Sequence, residues 1–176
     1  MNMQLIKNNS KKMILAIAMA LISTVGFSQS MFDKFENLEE VSAVVVNKKM
    51  FDLILSAGSN DPDFKKMVDG LSSLKMFVTK DPKIASQMNS TAADYLKSSK
   101  LSELMRVNDD GNNVKIYVKE GRDEDHIKEL FMHVNAKEGE SVIFTLIGDI
   151  DLKQIAKLTE QMNIPGGEHL KGVNKK

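Results

Sequence analysis

Residues 114–148 read VKIYVKEGRDEDHIKELFMHVNAKEGESVIFTLIG, and the alternation within this stretch decides the fold. Val114, Ile116 and Val118 alternate with Lys115, Tyr117 and Lys119, the period of two shown by a strand with one buried and one wet face. Leu130, Met132 and Val134 alternate in the same way against Glu129, Phe131 and His133. The third run, 142–147, is apolar on both parities except at Thr145, as a central strand covered on both sides would be. Asp110-Gly111 ahead of the first run and Glu138-Gly139 ahead of the third put glycine where tight reversals need positive φ. The stretch therefore predicts an antiparallel meander. At its exit Asp151 is placed to cap a helix, with Gln154 three residues on and Ile150 and Ile155 at the positions of a hydrophobic staple. That helix, 152–162, carries Leu152, Ile155, Leu158 and Met162 at helical spacing and is expected to lie on the sheet's apolar face.

Upstream, 41–46 is a β-branched run fit for a strand, and Asn47 offers an N-cap to a short helix carrying Met50, Phe51, Ile54 and Leu55. Ala57-Gly58-Ser59-Asn60 ends it. Asp61-Pro62 and Asp81-Pro82 each place a capping carboxylate before a proline at the first helical position, where its missing N–H costs nothing. The two helices that follow show apolar stripes, Phe64, Met67, Val68 and Leu71 in one and Ile84, Met88, Ala92, Tyr95 and Leu96 in the other. The residues between the two Asp-Pro pairs do not match, so no repeat is present. Residues 74–79 read as a strand, and 103–107 as another that turns through Asn108-Asp109-Asp110-Gly111 into the meander. The predicted fold class is α+β, an antiparallel β-sheet with a meander in the C-terminal half and helices packed on at least one face. With 176 residues, 42% of them hydrophobic and 27% charged, the chain has material for one domain, expected over 31–164. The lysine-ended tail 165–176 has little to bury and is expected to be flexible.

The first thirty residues have a different logic. Lys7, Lys11 and Lys12 precede an apolar run over 13–25, and the small residues Gly26, Ser28 and Ser30 follow. This is the pattern of a secretory signal peptide, with cleavage expected near Ser28–Ser30. A membrane anchor is the competing reading, but the run falls short of the roughly 20 residues a spanning helix needs. No cysteine stands at the exit, so lipid modification there is excluded. The mature protein, without a transmembrane anchor, is expected in the periplasm or outside the cell. The leader takes basic residues and no acidic ones from a chain with 24 of each, leaving the remainder mildly acidic. Nucleic acid and anionic membranes want a concentrated positive field, so neither is an expected partner.

Chemistry can be bounded as well. With no cysteine anywhere, disulfides, thiolate metal sites and cysteine nucleophiles are all excluded. Asp123-Glu124-Asp125-His126 has oxygen and imidazole ligands for a divalent cation, but it falls in a loop between predicted strands, where hydration alone explains polarity. Aligning Gly111 with the invariant glycine of a calcium loop puts Arg106 at the first ligand position and Tyr117 at the last, and the ligand set fails. His126, His133 and His169 lack the close spacing of a zinc motif. There is no phosphate loop and no nucleophile elbow, and a triad from dispersed Ser, His and Asp finds no support. Neither a cofactor nor a metal is expected. Asn89-Ser90-Thr91 matches a glycosylation sequon, and its place inside a predicted helix makes chance the better account. Methionine is plentiful, 12 in the chain, and outside the leader it falls mostly at core-facing positions, where it fills gaps; the alternative is an adaptable binding surface.

Met31-Phe32-Asp33-Lys34-Phe35, the Leu104-Met105 pair, Val114-Lys115-Ile116-Tyr117-Val118-Lys119 and Gly148-Asp149-Ile150-Asp151-Leu152 together carry a resemblance to a known family. The chain resembles the domain of unknown function numbered 4252, a group of small exported proteins of gram-negative bacteria, many of them lipid-anchored. This chain departs from the anchored members in having no lipid-bearing cysteine. The resemblance implies location and fold and brings no catalytic residues with it. Two functions are then expected to compete. One is a non-enzymatic envelope protein that binds an unidentified protein partner, with Phe32, Phe35, Tyr117, Phe131 and His133 as the candidate interaction surface. For Phe32 and Phe35 the other reading is that they dock onto the core. The second function is a carrier of an apolar small molecule or lipid between sheet and helices.

Overall fold

In the computed structural model, which describes residues 31–57 and 62–152, a 3-10 turn at Asp33–Phe35 opens the chain. Strand β1 (Val41–Asn47), helices α1 (Lys48–Ser56) and α2 (Pro62–Asp69), β2 (Leu71–Thr79) and α3 (Pro82–Ser98) follow. Four strands complete it: β3 (Ser102–Asp109), β4 (Asn112–Glu120), β5 (His126–Asn135) and β6 (Ser141–Asp151). The local signals act as their chemistry predicts. Asn47 Oδ1 accepts the Met50 N–H at 3.1 Å to start α1, and Asp81 Oδ1 accepts the Ile84 N–H at 2.8 Å to start α3, with Pro82 inside the first turn. Asp110 and Gly111 take φ of 42° and 86°, the paired positive values of a two-residue hairpin, and Gly139 takes 85°.

The strands form one six-stranded sheet in the order β1-β2-β6-β5-β4-β3, and every pairing is antiparallel. The protein is α+β, and β3 to β6 are the predicted meander. β6, apolar on both parities, lies between β2 and β5. The chain reaches this order by carrying α3 from the middle of the sheet to the far edge, where β3 begins.

Helices cover both faces. On one, Phe51 of α1 and Met67 and Val68 of α2 join Leu71, Leu74, Ile116, Leu130, Met132, Phe144 and Leu146. On the other, Met88, Ala92 and Tyr95 of α3 and the N-terminal Phe32 and Phe35 pack on Val41, Phe77, Phe131 and Ile143. Phe32 sits at the centre of this second core, edge-on to Tyr95 at 5.3 Å and stacked on Phe131 at 5.9 Å. Such pairs add about 0.5–1.5 kcal/mol each beyond the area they bury.

Three boundaries differ from the sequence reading. β2 starts at Leu71, which the periodicity had assigned to the α2 stripe. A bulge between Leu71 and Ser73 lets Leu71 and Leu74 share one sheet face although they are three apart, which mimics a helical spacing. β6 continues past Ile147, where the apolar run ends, to Asp151. His126 opens β5 and does not lie in the preceding loop. The ends of β2 and β6 approach so closely that a Cβ on Gly148 would meet the Gly70 carbonyl oxygen at 2.2 Å, and one on Gly70 would meet that of Asp149 at 2.3 Å. Leu152 packs against the first core. The rest of the predicted helix 152–162, the leader 1–30 and the tail 165–176 lie outside the described residues.

Candidate functional site

The face beneath α3 holds an unusual number of polar groups for an interior. Alternation brings Lys75 of β2, Thr145 of β6 and Phe131 of β5 into one row across the sheet, with Glu129 two residues from Phe131. Glu129 is buried, and Tyr95 of α3 donates its hydroxyl to it. Lys75 donates to Asp33 at 2.5 Å and Glu36 at 2.6 Å. Burial works against its ammonium, but the two carboxylates outweigh that and hold its pKa above the ordinary value. This ion-paired lysine fastens the N-terminal 3-10 turn to the sheet. His133 Nε2 donates to Asn89 Oδ1 at 2.8 Å, and Ser141 Oγ donates to the same oxygen at 3.1 Å. Burial, reinforced by the charge of Lys115, lowers the imidazole pKa to about 4. The space lined by Phe32, Lys75, Tyr95, Glu129 and Thr145 measures ≈ 10 Å³, about one water. Among the described residues every buried side-chain nitrogen or oxygen has a partner. These groups specify how α3 and the N-terminal turn dock, and they leave no room for a substrate.

A second cluster lies at the end of the sheet where the β4–β5 loop meets β6. Arg122 Nη1 pairs with Asp149 at 2.8 Å, and its Nη2 donates to His126 Nε2 at 2.5 Å. His126 Nδ1 in turn donates to Asp123 at 2.6 Å, which lowers that carboxyl's pKa. The cleft here is ≈ 200 Å³, lined also by Lys66, Asp69 and Asp151. Of the acidic loop, Arg122 engages Asp123 at 3.4 Å as well as His126, and no group of three metal-ligating side chains gathers among the described residues. The cluster closes the loop onto the strand end.

The residues expected to form an interaction surface lie largely inside the fold. Phe32, Phe35, Phe131 and His133 are buried, and Tyr117 is half-buried beside Phe131 and in contact with Glu103 and Arg106. The reason is the second layer: α3 and the N-terminal turn cover the parity that alternation in β4 and β5 marks as wet. Phe32 and Phe35 follow their other reading and dock on the core.

Exposed apolar surface is found elsewhere. Val44 and Val45 of β1 and Met50, Leu53 and Ile54 of α1, two elements that follow one another directly, are each exposed by 38–56%. Beyond them Leu104 is the one large apolar side chain exposed among the described residues. The signal was present in the sequence. Phe51 and Leu55 suffice to face α1 inward, so Met50, Leu53 and Ile54 exceed what one buried stripe requires. Three successive valines in β1 likewise put a β-branched side chain on each face of an edge strand.

The family model described as Domain of unknown function (DUF4252) matches residues 35–158, well over half of the chain. The chain belongs to the DUF4252 family. No curated protein and no solved structure matches it. The DUF4252 match opens at Phe35, inside the N-terminal turn, and takes in all six strands, α3 and the apolar border.

Proposed function

We propose that this DUF4252 protein is an exported, non-enzymatic component of the bacterial envelope that acts by binding another protein chain through the β1–α1 border. The observation that carries the reading is the exposure of Val44 and Val45 on the edge strand β1 and of Met50, Leu53 and Ile54 on α1, which follows it directly, while Phe32, Phe35, Phe77, Phe131 and Tyr95 are packed inside. Exposed apolar side chains on neighbouring elements of a folded domain suit an interaction surface. Export is supported by the charged start, the apolar run 13–25 and the small-residue exit, and the lack of cysteine leaves the processed chain without a lipid anchor. The packing gives the carrier reading little support, since the space beneath α3 is the size of one water.

Mild crosslinking in intact cells, followed by fractionation, tests this reading. The chain is expected in the periplasmic or extracellular fraction, shortened by its leader and crosslinked to a protein. Val45→Lys with Leu53→Glu is expected to fold and to lose those crosslinks. Retention of the leader in the cytosol, or crosslinks indifferent to both substitutions, would overturn the proposal.

A further inference from the structure

We propose that Met50 is a reversible oxidation site, at which a peroxide turns the exposed face of α1 from apolar to polar. The inference rests on the reading above, that the β1–α1 border binds a protein chain, and adds how that binding is regulated.

The chain has 12 methionines and no cysteine, so its sulfur chemistry is that of the thioether alone. Oxidation needs the oxidant to reach the sulfur, and exposure therefore ranks the candidates. Met67, Met88 and Met132 are 8%, 0% and 1% exposed and sit in the two cores. Met31, Met76 and Met105 are half-buried and packed against those cores. Met50, 50% exposed, is the one exposed methionine among the described residues. It stands in the first turn of α1, three and four residues before Leu53 and Ile54, the spacing at which helical side chains share a face. Phe51, on another side of the helix, is buried and holds α1 to the sheet. Oxidation of a buried methionine disrupts a core, whereas oxidation of Met50 changes a surface and leaves the packing of α1 in place.

The step is a two-electron oxygen transfer. The thioether sulfur attacks one oxygen of hydrogen peroxide, the O–O bond breaks as the S–O bond forms, and the second oxygen leaves with both protons as water. Sulfur is oxidised and the peroxide reduced. The product is a polar, chiral sulfoxide beside Leu53 and Ile54, and an apolar partner surface seated there would have to bury its oxygen without a donor. Reversal takes an outside dithiol, because the chain has no thiol of its own. A methionine sulfoxide reductase returns the thioether, the oxygen leaving as water while two thiols become a disulfide.

Hydrogen peroxide titration of the folded chain, followed by peptide mass mapping, is expected to place oxygen on Met50 about tenfold or more faster than on Met67, Met88 and Met132. The native, oxidised and reductase-repaired forms are then each crosslinked in a cell-envelope extract. Oxidation is expected to lower the crosslinks by about fivefold or more, and repair to restore them. Met50→Leu, whatever its starting level of crosslinks, is expected to lose no more on peroxide treatment. Reaction of Met50 no faster than the buried methionines, crosslinks that oxidation leaves unchanged, or an equal loss in Met50→Leu would each overturn the site. If oxidation changes nothing while Val45→Lys with Leu53→Glu abolishes the crosslinks, the regulation fails and the binding surface stands. Crosslinks indifferent to oxidation and to both substitutions overturn the two together.

Discussion

His133 is neutral in the fold because burial and Lys115 set its pKa near 4 against an ordinary 6.5. The sign of the linkage follows. Above pH 6.5 the imidazole is neutral in folded and unfolded chains and its contribution is complete; as pH falls toward 4 the unfolded chain takes up a proton that the folded chain refuses, and stability is lost. The interval corresponds to about 3 kcal/mol, as an upper figure. Denaturant titrations between pH 7 and pH 4 are expected to show this loss in the wild type and a shallower one in His133→Gln, which keeps a donor toward Asn89. A residue like this one was hard to place from sequence. In β5, Glu129, Phe131 and His133 occupy the parity opposite Leu130, Met132 and Val134, and a sheet with one covered face would leave them wet. Only the presence of α3 over that face, a contact more than thirty residues distant, decides otherwise. Phe131 was the available hint, since an aromatic side chain in the middle of a nominally wet row calls for a cover.

At the scale of elements, short-range chemistry was legible and long-range pairing was not. The caps at Asn47 and Asp81, the turn glycines Gly111 and Gly139 and the meander follow from residues within a few positions of each other, and these appear as expected. Asp81 illustrates the strength of one such signal. Asp81→Ala removes the acceptor of the Ile84 N–H while keeping Pro82, and is expected to cost about 1 kcal/mol in thermal or chemical unfolding. Asp81→Asn or Asp81→Ser is expected to recover most of it. The start of β2, by contrast, was misplaced because a bulge gave Leu71 and Leu74 a spacing of three on a common face. The pairing of β2 with β6 joins segments separated by about seventy residues, and no local pattern encodes it. The candidate site lay between these extremes. Its excess apolar residues, Met50, Leu53 and Ile54, could be counted in the sequence, but that α1 sits beside an edge strand could not.

Across the whole molecule, the sheet order sets a gradient of protection. β6 is bonded on both sides and covered on both faces, with β2 and β5 beside it, while β1 and β3 each have one neighbour among the described strands. Hydrogen exchange followed by mass spectrometry is expected to find the slowest amides in β6, β5 and β2 and the fastest strand amides in β3. Uniform exchange across the six strands would contradict the gradient.

The burial of Phe32 and Phe35 also bears on the leader removal proposed above. Were the chain cut near Ser28–Ser30 as proposed, a peptidase would have to grip several residues on either side of the bond in extended form, and Phe32 would fall within that grip. The same ring cannot lie in a protease groove and between Tyr95 and Phe131 at once. Under that proposal, cutting and closure of this corner would exclude one another, and a precursor that reached its final packing first would hide its own cut site.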